Sequence, residues 1–253
     1  MHVSRLGLTP LKGTRHTDRD HVDLDPDGPV GDRVFSLVDR ARGRVLRTVE
    51  NPSLMRTTAR WHDGVLSAEL PGGTVADAPV RTREHVRLDY WGRPVDLEVV
   101  AGPWAAAYTD FLGYDVALAR ATRPGEVVYG GSVSLVSTST LERVAEGLRP
   151  GHAPPDGAQL RATLTVDTTG AEPFVEDSWV GRSVQVGEAT LRVRSLLPRC
   201  AVVDLDPHTG ARRGDVLASL AGYRRRLGEI VLGVDAVVTQ PGRVAVGAQV
   251  ERD

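Results

Sequence analysis

Two chemically useful residues are scarce in this chain of 253 residues: it has one cysteine, Cys200, and one lysine, Lys12. A single cysteine excludes an internal disulfide, so the residue is either a reactive thiol or a small buried apolar side chain. All other strongly basic residues are arginine, and Lys12 therefore marks a place where a compact ammonium replaces a planar guanidinium. On rarity alone, the alternative that the single lysine has no functional meaning stays open.

Several sequence patterns that define common protein classes are also missing. No apolar run approaches the ~20 residues of a membrane span, and no signal peptide begins the chain, so we expect a cytoplasmic protein with no membrane partner. The formal net charge of -2 gives no field that would favour nucleic acid. The histidines lack zinc-ligand spacing, and the motifs of serine hydrolases, P-loops and Rossmann cofactors are absent.

What is present indicates a mainly β protein with a few helices. Short runs of β-branched residues alternate with turn sequences, which is typical of barrels rather than βαβ arrays. We expect two barrel-like halves with a cleft between them, divided into residues 1–95 and 96–253. Predicted strands are residues 3–8, 33–39, 45–48, 86–91, 95–100, 132–136, 160–167, 183–186, 190–195, 201–205, 230–239 and 243–250. Predicted helices are residues 103–113, one capped by Ser139, and 215–226.

Four local motifs have both a functional and an ordinary interpretation. The aspartates of Asp23-x-Asp25-x-Asp27-Gly28 resemble a calcium loop, but the ligand at the twelfth position is missing, so we expect a turn. The segment Asp204-x-Asp206-Pro-His-Thr-Gly210 is similar, and we expect a turn there as well. Gly130-Gly131 before a strand would let backbone amides approach an anion, or would form a tight turn. Beside Arg199, the thiol of Cys200 would ionise readily, or would be inert.

Taken in order, these pieces resemble the MOSC family, the C-terminal domain type of molybdenum cofactor sulfurases, preceded by its usual β-barrel domain. The matching elements are Pro10-Leu-Lys12, Gly31-Asp-Arg33-Val-Phe35, Asn51-Pro-Ser-Leu54, the strand–Ser–helix element at 133–148, Glu176-Asp-Ser-Trp179, Arg199-Cys200, Asp206-Pro-His-Thr-Gly210 and, in part, Val246-Gly247-Ala248. The overall organisation is similar to that of the mitochondrial amidoxime-reducing component and its bacterial relatives.

The resemblance implies a role for each candidate site residue. Cys200 would be the catalytic residue and the protein ligand to molybdenum. The cofactor's phosphate and pterin would be bound by Lys12, Arg33, Gly130, Gly131, Arg161, Thr163 and Arg199. The chain departs from the family at Thr163, which has no amide, and at Gly13, where a serine is usual, so some polar donors are lost while the charged residues are kept.

The implied function is a molybdenum-cofactor-dependent oxidoreductase that reduces N-hydroxylated or N-oxide compounds. A separate protein would donate electrons, because no cysteine set for an iron–sulfur cluster is present. Two alternatives stay open: a sulfurtransferase in which Cys200 carries a persulfide from a sulfur-donor protein, and a molybdopterin carrier without turnover. The implied cofactor is Mo-molybdopterin. Pyridoxal phosphate is not expected, and the other partner is a small-molecule substrate.

Overall fold

Strands dominate the computed structural model, which describes residues 1–128 and 132–253 and, at residues 74–78, the backbone alone. The strands are β1 (His2–Leu8), β2 (Thr17–Arg19), β3 (His21–Asp25), β4 (Gly28–Pro29), β5 (Phe35–Asp39), β6 (Arg44–Val45), β7 (Thr58–His62), β8 (Val65–Leu70), β9 (Gly73–Pro79), β10 (Arg81–Tyr90), β11 (Arg93–Ala101), β12 (Val116–Ala121), β13 (Val133–Ser137), β14 (Leu164–Asp167), β15 (Ser183–Val186), β16 (Ala189–Pro198), β17 (Arg225–Arg226), β18 (Glu229–Gln240), β19 (Gly242–Ala245) and β20 (Val250–Arg252). The helices are α1 (Trp104–Leu112), α2 (Thr138–Glu146) and α3 (Val216–Ala221), with 3-10 helices at Pro52–Arg56, Val175–Trp179 and Ala201–Asp204. The predicted mainly β class with few helices is confirmed.

One barrel is closed by five strands in the order β10-β11-β12-β5-β6. Its strands alternate apolar side chains into a core that includes Val38, Val95 and Leu97. A second apolar cluster, containing Phe35 and Trp104, lies between this barrel, α1 and the β7–β9 sheet. Closure leaves few free strand edges, which is why short strands of this kind are stable.

The other half is a curved sheet in the order β2-β1-β14-β13-β18-β16-β15-β20. The segment leading into its last strand, β20, returns to β1, because His2 bridges Gln249 and the Val3 amide donates to the Ala248 carbonyl at 2.9 Å. The Val250 amide also donates to the Met1 carbonyl at 2.9 Å. These contacts make the second half barrel-like, and we call it the second barrel, so the prediction of two barrel-like halves is confirmed.

The N-terminal segment contributes to both barrels. Strand β1 pairs with β14 in the second barrel, whereas β5 pairs with β12 in the first. The segment between β1 and β5, which includes β2, β3 and β4, therefore runs from one barrel to the other and carries Lys12 and Arg33 with it. The division into residues 1–95 and 96–253 stays a prediction.

The predicted helix starts and ends are partly correct. Gly113 ends α1 with a φ of 79°, the left-handed conformation that glycine adopts without strain. For α2 the predicted cap is wrong: Ser137, not Ser139, accepts the Thr140 amide at 3.2 Å. The predicted third helix is too long, because it ends at Ala221 and Arg225–Arg226 pairs with β18 instead.

The strand predicted at residues 201–205 is wrong. This segment forms the 3-10 helix Ala201–Asp204, although its valines are typical of a strand. Asp204 explains the difference: its carboxylate accepts the Leu217 amide at 2.9 Å, and its carbonyl accepts the Arg213 amide at 2.8 Å. Tertiary hydrogen bonds override the local β preference here.

The aspartate-rich segment at 23–28 forms the β3–β4 hairpin. The Asp27 amide donates to the Asp25 carboxylate at 2.9 Å, a local turn contact, and Asp23 pairs with Arg243 at 2.8 Å. Within the part of the chain that the structure describes, no helix is long and apolar enough to cross a membrane.

Candidate functional site

Four sequence-distant residues come together around the segment that follows β1. The Lys12 amide donates to the Phe35 carbonyl at 2.8 Å, and the Arg33 amide donates to the Thr9 carbonyl at 2.7 Å, so these two loops lie side by side. Arg161 reaches the same loop, because its Nη1 donates to the Thr14 carbonyl at 2.8 Å. Cys200 follows β16 and lies within electrostatic range of Lys12 and Arg161. We call Lys12, Arg33, Arg161 and Cys200 the Cys200 cluster.

The cations of this cluster repel each other. Burial, followed by the charges of Arg33 and Arg161, lowers the pKa of Lys12 to about 7. Burial and the charge of Arg33 lower the pKa of Arg161 to about 10. Arg33 forms an ion pair with Asp32, but no carboxylate of residues 1–128 or 132–253 forms one with Lys12 or Arg161. Asp32, whose charge also acts on Lys12 and Arg161, is thus the carboxylate that offsets part of the positive charge here.

Two of these cations sit on strained backbone. Arg33 has a φ of 47° and Arg161 a φ of 53°, in the left-handed region that non-glycine residues rarely adopt. Such conformations persist where the surroundings enforce them, and they are concentrated at functional sites.

The Cys200 thiol is exposed to solvent. The residue has extended backbone (φ -114°, ψ 176°) and immediately precedes the 3-10 helix Ala201–Asp204. Exposure excludes the interpretation of Cys200 as a buried apolar residue. A solvent-accessible thiol can be reached by a substrate or a ligand.

Arg199 does not present its whole guanidinium to the cluster. Its Nε donates to the Leu232 carbonyl at 2.7 Å and its Nη1 to the Leu160 carbonyl at 2.9 Å. Burial lowers the pKa of Arg199 to about 10, while Cys200 and Glu176 oppose the shift. Arg199 therefore ties the Cys200 segment to the residue that precedes Arg161. Its predicted contact with a cofactor stays a prediction.

Thr163 is also engaged within the protein. It is buried, and its amide donates to the Ser134 hydroxyl at 3.0 Å. The two hydroxyls lie 3.4 Å apart. These bonds hold β13 against β14, and the predicted pterin contact of Thr163 is untested. Gly130 and Gly131 lie outside the described residues.

Three neighbours of the cluster were missed by the sequence analysis. Asp32 accepts the Thr9 amide at 3.0 Å as well as pairing with Arg33, and its signal was present in the Gly31-Asp-Arg33 motif. His16 accepts a hydrogen bond from Arg5 at 3.2 Å, and burial lowers its pKa well below 6.5, so its ring is neutral. Tyr90 lies under Lys12, with Nζ 5.0 Å from the ring centroid.

Two further family motifs meet beside the site. Gly210 of the Asp206-Pro-His-Thr-Gly210 loop packs so closely on Pro52 that a Cβ there would lie 1.9 Å from the Pro52 carbonyl oxygen. Arg15 donates to the His208 carbonyl at 3.2 Å and joins the same loop to the Lys12 segment. The loop at residues 206–210 thus packs against Pro52 and against the segment that carries Lys12.

A cavity of about 440 Å³ lies apart from the cluster and includes Arg44, Glu50, Asn51 and Tyr114 in its lining. Its polar groups already bind each other: Arg44 pairs with Glu50 at 2.7 Å, and the Tyr114 hydroxyl donates to Asn51 at 2.5 Å. The chemistry of the Cys200 cluster is a stronger indication of function than this volume.

Family models match both halves. The MOSC N-terminal beta barrel domain matches residues 1–113, and the MOSC domain matches residues 122–251, more than half of the chain. The chain belongs to the MOSC domain family. Molybdenum cofactor sulfurases are among the relatives of this MOSC protein. That of Aspergillus oryzae is 30% identical over 301 aligned positions, covering 92% of this chain and 36% of the relative. That of Neosartorya fischeri is 34% identical over 310 positions, with the same coverages of 92% and 36%.

The MOSC chain spans about a third of the length of these fungal relatives. Among solved structures, the YuaD protein from Bacillus subtilis aligns with a TM-score of 0.46 and 14% identity, covering 99% of this chain and 93% of that one. YiiM from Geobacillus stearothermophilus aligns with a TM-score of 0.36 and 16% identity, over 49% and 54% of the two chains.

Proposed function

We propose that this protein binds a phosphate-bearing molybdenum cofactor at the Cys200 cluster and reduces N-hydroxylated or N-oxide compounds. The observation that carries the proposal is an exposed thiol near Lys12 and Arg161, two buried cations that form no ion pair with a carboxylate of the described residues. A surface without a binding role gives no reason for an exposed thiol and unpaired cations to lie together. Family membership and the names of the relatives support the link to the molybdenum cofactor, which is the first part of this proposal.

The residues present fit an anionic cofactor. Lys12 and Arg161 offer charge-assisted donors to a phosphate, which binds best where several cations converge. Cys200 offers a thiolate sulfur, a soft ligand that would bind the molybdenum of the cofactor. Among the described residues no group of three or more His, Cys, Asp and Glu side chains could hold a metal ion. The remaining ligands would therefore come from the cofactor.

The protein's own residues would set the geometry and charge of the reaction. When bound, the molybdenum would supply two-electron redox chemistry. Removal of the substrate oxygen as water consumes two electrons and two protons, and the electrons would come from a separate donor protein. Lys12, with a pKa of about 7, would gain a proton as an anion binds, because the anion stabilises the ammonium.

Sulfur transfer is the second candidate, favoured by one specific observation. The Thr163 hydroxyl and amide are occupied by Ser134, so the chain has fewer free donors for a pterin edge than the family pattern implies. In that function, Cys200 would carry a persulfide and the cations would steer an anionic acceptor. A molybdopterin carrier would use the same cations without turnover.

Analysis of the purified protein separates the candidates. Molybdenum, pterin phosphate and cyanide-labile sulfur would be measured per chain on one preparation. The oxidoreductase requires molybdenum and pterin near one per chain and activity with a reduced viologen dye. A sulfurtransferase would instead contain labile sulfur that disappears in Cys200→Ser. Molybdenum with pterin but no reduction of any N-hydroxylated compound would favour the carrier.

A further inference from the structure

The most exposed large apolar side chain that the structure describes lies at the tip of the β17–β18 hairpin. Leu227 is fully exposed, at 105% of its reference accessible area. It has a φ of 47° and Gly228 a φ of 87°, so both residues of this turn are in left-handed backbone. Asparagine followed by glycine suits such a turn, whereas a leucine in this conformation is strained. Neither burial nor turn chemistry therefore explains the leucine.

Two exposed arginines directly precede Leu227. Arg225 and Arg226 form no ion pair with a carboxylate of the described residues, and this includes Glu229, which lies opposite Arg226 in the hairpin. Nη1 of Arg225 donates to the Gly228 carbonyl at 3.0 Å, and Nη1 of Arg226 donates to the Arg225 carbonyl at 3.0 Å. These bonds hold both guanidinium groups to the hairpin and leave their other donors free for the carboxylates of a partner.

The hairpin is hydrogen-bonded to the segment that carries Cys200. The Arg199 amide donates to the Ile230 carbonyl at 2.8 Å, and Ile230 pairs with Arg225 across the hairpin. Leu227 is three residues from Ile230, and a strand rises about 3.3 Å per residue, so the tip lies within about 10 Å of this contact. A protein that binds the tip is therefore held close to the exposed thiol.

The size and the charge of this surface indicate the kind of partner. One leucine and two arginines offer less area than a stable dimer needs, whereas electron-transfer encounters bury less than about 1,200 Å². Two cations on a chain with a net charge of -2 attract nucleic acid only weakly. Unpaired cations around an apolar centre are complementary to the acidic surface of a protein and would steer its approach.

We propose that Arg225, Arg226 and Leu227 form the docking surface for the electron donor, a small acidic electron-transfer protein. The inference rests on the proposed function and extends it by naming the chemistry of the donor and the place where it binds. Reduction of one N-hydroxylated substrate consumes two electrons and two protons and releases the oxygen as water. A one-electron carrier would therefore dock twice per turnover, which favours a small contact with fast dissociation.

The first test measures binding and needs no turnover. A plant-type [2Fe–2S] ferredoxin, an acidic one-electron carrier, would be titrated in its oxidised form into the molybdenum-loaded protein by calorimetry. The double variant Arg225→Glu with Arg226→Glu should weaken binding at least about tenfold, because both charges are reversed. Leu227→Ser should weaken it about threefold through the loss of apolar contact. Wild-type affinity should fall as salt rises from about 20 mM to about 300 mM.

The matched control makes the same change of charge far from the hairpin. Arg81 and Arg83 are exposed on β10, at the end of the strand opposite to Tyr90. The double variant Arg81→Glu with Arg83→Glu should bind ferredoxin as wild type does. Equal weakening in the control would overturn the docking surface, because net charge alone would then determine binding.

The second test separates docking from catalysis. With N-hydroxybenzamidine as substrate, the double variant at Arg225 and Arg226 should raise the KM for reduced ferredoxin at least about tenfold. Its rate with a reduced viologen dye and its molybdenum per chain should equal those of wild type. An equal loss with the dye would overturn the proposal and make the hairpin a support of the active site.

The other outcomes also decide the matter. A wild-type protein that the dye reduces but ferredoxin neither binds nor reduces would overturn the docking surface alone. Hairpin-dependent binding of ferredoxin without turnover by either donor would contradict the proposed reaction and keep the surface. Self-association that disappears in Leu227→Ser, seen by size-exclusion chromatography with light scattering, would overturn the proposal and assign the tip to a second copy of the chain.

Discussion

Cations of this protein lie in two different electrostatic settings. In the Cys200 cluster, Lys12 and Arg161 have no carboxylate ion pair among the described residues, and burial followed by the charge of neighbouring arginines lowers the pKa of each. In the second barrel, Arg224 binds both carboxylate oxygens of Asp177, at 2.6 and 2.9 Å, and Arg243 pairs with Asp23 at 2.8 Å. The net charge of -2 does not distinguish them. Local pairing does: we expect the paired cations to stabilise the fold, and the unpaired cations are the candidates for anion binding.

The largest effect is expected at the thiol. Cys200→Ser should lower the rate of reduction by at least about a thousandfold, because a serine hydroxyl is not a soft metal ligand. The exposed side chain contributes little packing, so the free energy of unfolding should change by less than about 0.5 kcal/mol. Steady-state kinetics and urea unfolding check both parts. Normal turnover by this variant would end both the oxidoreductase and the sulfurtransferase proposals.

The paired cations should instead control stability. Asp177→Asn leaves the Arg224 side chain, 4% exposed, without its carboxylate. Removing one member of a buried pair costs about 3 kcal/mol of unfolding free energy. Urea unfolding of Asp177→Asn measures this loss, with Arg243→Met, which removes a half-exposed partner, expected to lose less than about 1 kcal/mol. Equal losses would remove the distinction between buried and exposed pairs.

The unpaired cations should control anion binding. Lys12→Met should lower cofactor occupancy after dialysis about tenfold, the value of one charge-assisted hydrogen bond. The loss should grow with salt, since the contact is electrostatic. Arg243→Met makes the same change of charge at a paired position and should retain the cofactor. If both variants lose it equally, general charge rather than the cluster binds the anion.

The protonation of Lys12 gives that contact a pH dependence. In the free protein the pKa of Lys12 is about 7, so above that pH the amine is mostly neutral. It must then take up a proton before it can pair with an anion. Affinity for inorganic phosphate should therefore fall as pH rises above about 7, by calorimetric titration at constant ionic strength, once the phosphate's own titration is subtracted. In Lys12→Met this part of the pH dependence should vanish. A slope that persists in the variant would assign it to another group.

The smallest effect concerns His16. Its pKa in the folded protein lies well below 6.5, whereas in the unfolded chain it returns to about 6.5. The unfolded state thus binds the extra proton as pH falls below 6.5, so stability decreases in that direction. His16→Gln should weaken this acid-side decrease, as urea unfolding at pH 5 and pH 7 would reveal. An unchanged pH dependence would mean that other groups cause it.

The sequence predicted the barrels better than the details of the site. Alternating β-branched runs predict strands. The rarity of Lys12 and Cys200 singled out two of the four residues of the Cys200 cluster. The direction in which a side chain points depends on tertiary contacts and not on the local sequence. The hydrogen bonds of Arg199 to the Leu160 and Leu232 carbonyls were therefore not predictable. The contribution of Tyr90 depends on barrel closure, which brings the β10–β11 tip under Lys12.

The central claim is that the Cys200 cluster, and not the protein's arginines in general, binds the cofactor. Molybdenum per chain in wild type, Cys200→Ser and Arg243→Met, purified in parallel from a host that makes the cofactor, tests it most directly. The account predicts values near one for wild type and Arg243→Met and near zero for Cys200→Ser. Equal molybdenum in all three proteins, or none in wild type, would contradict it.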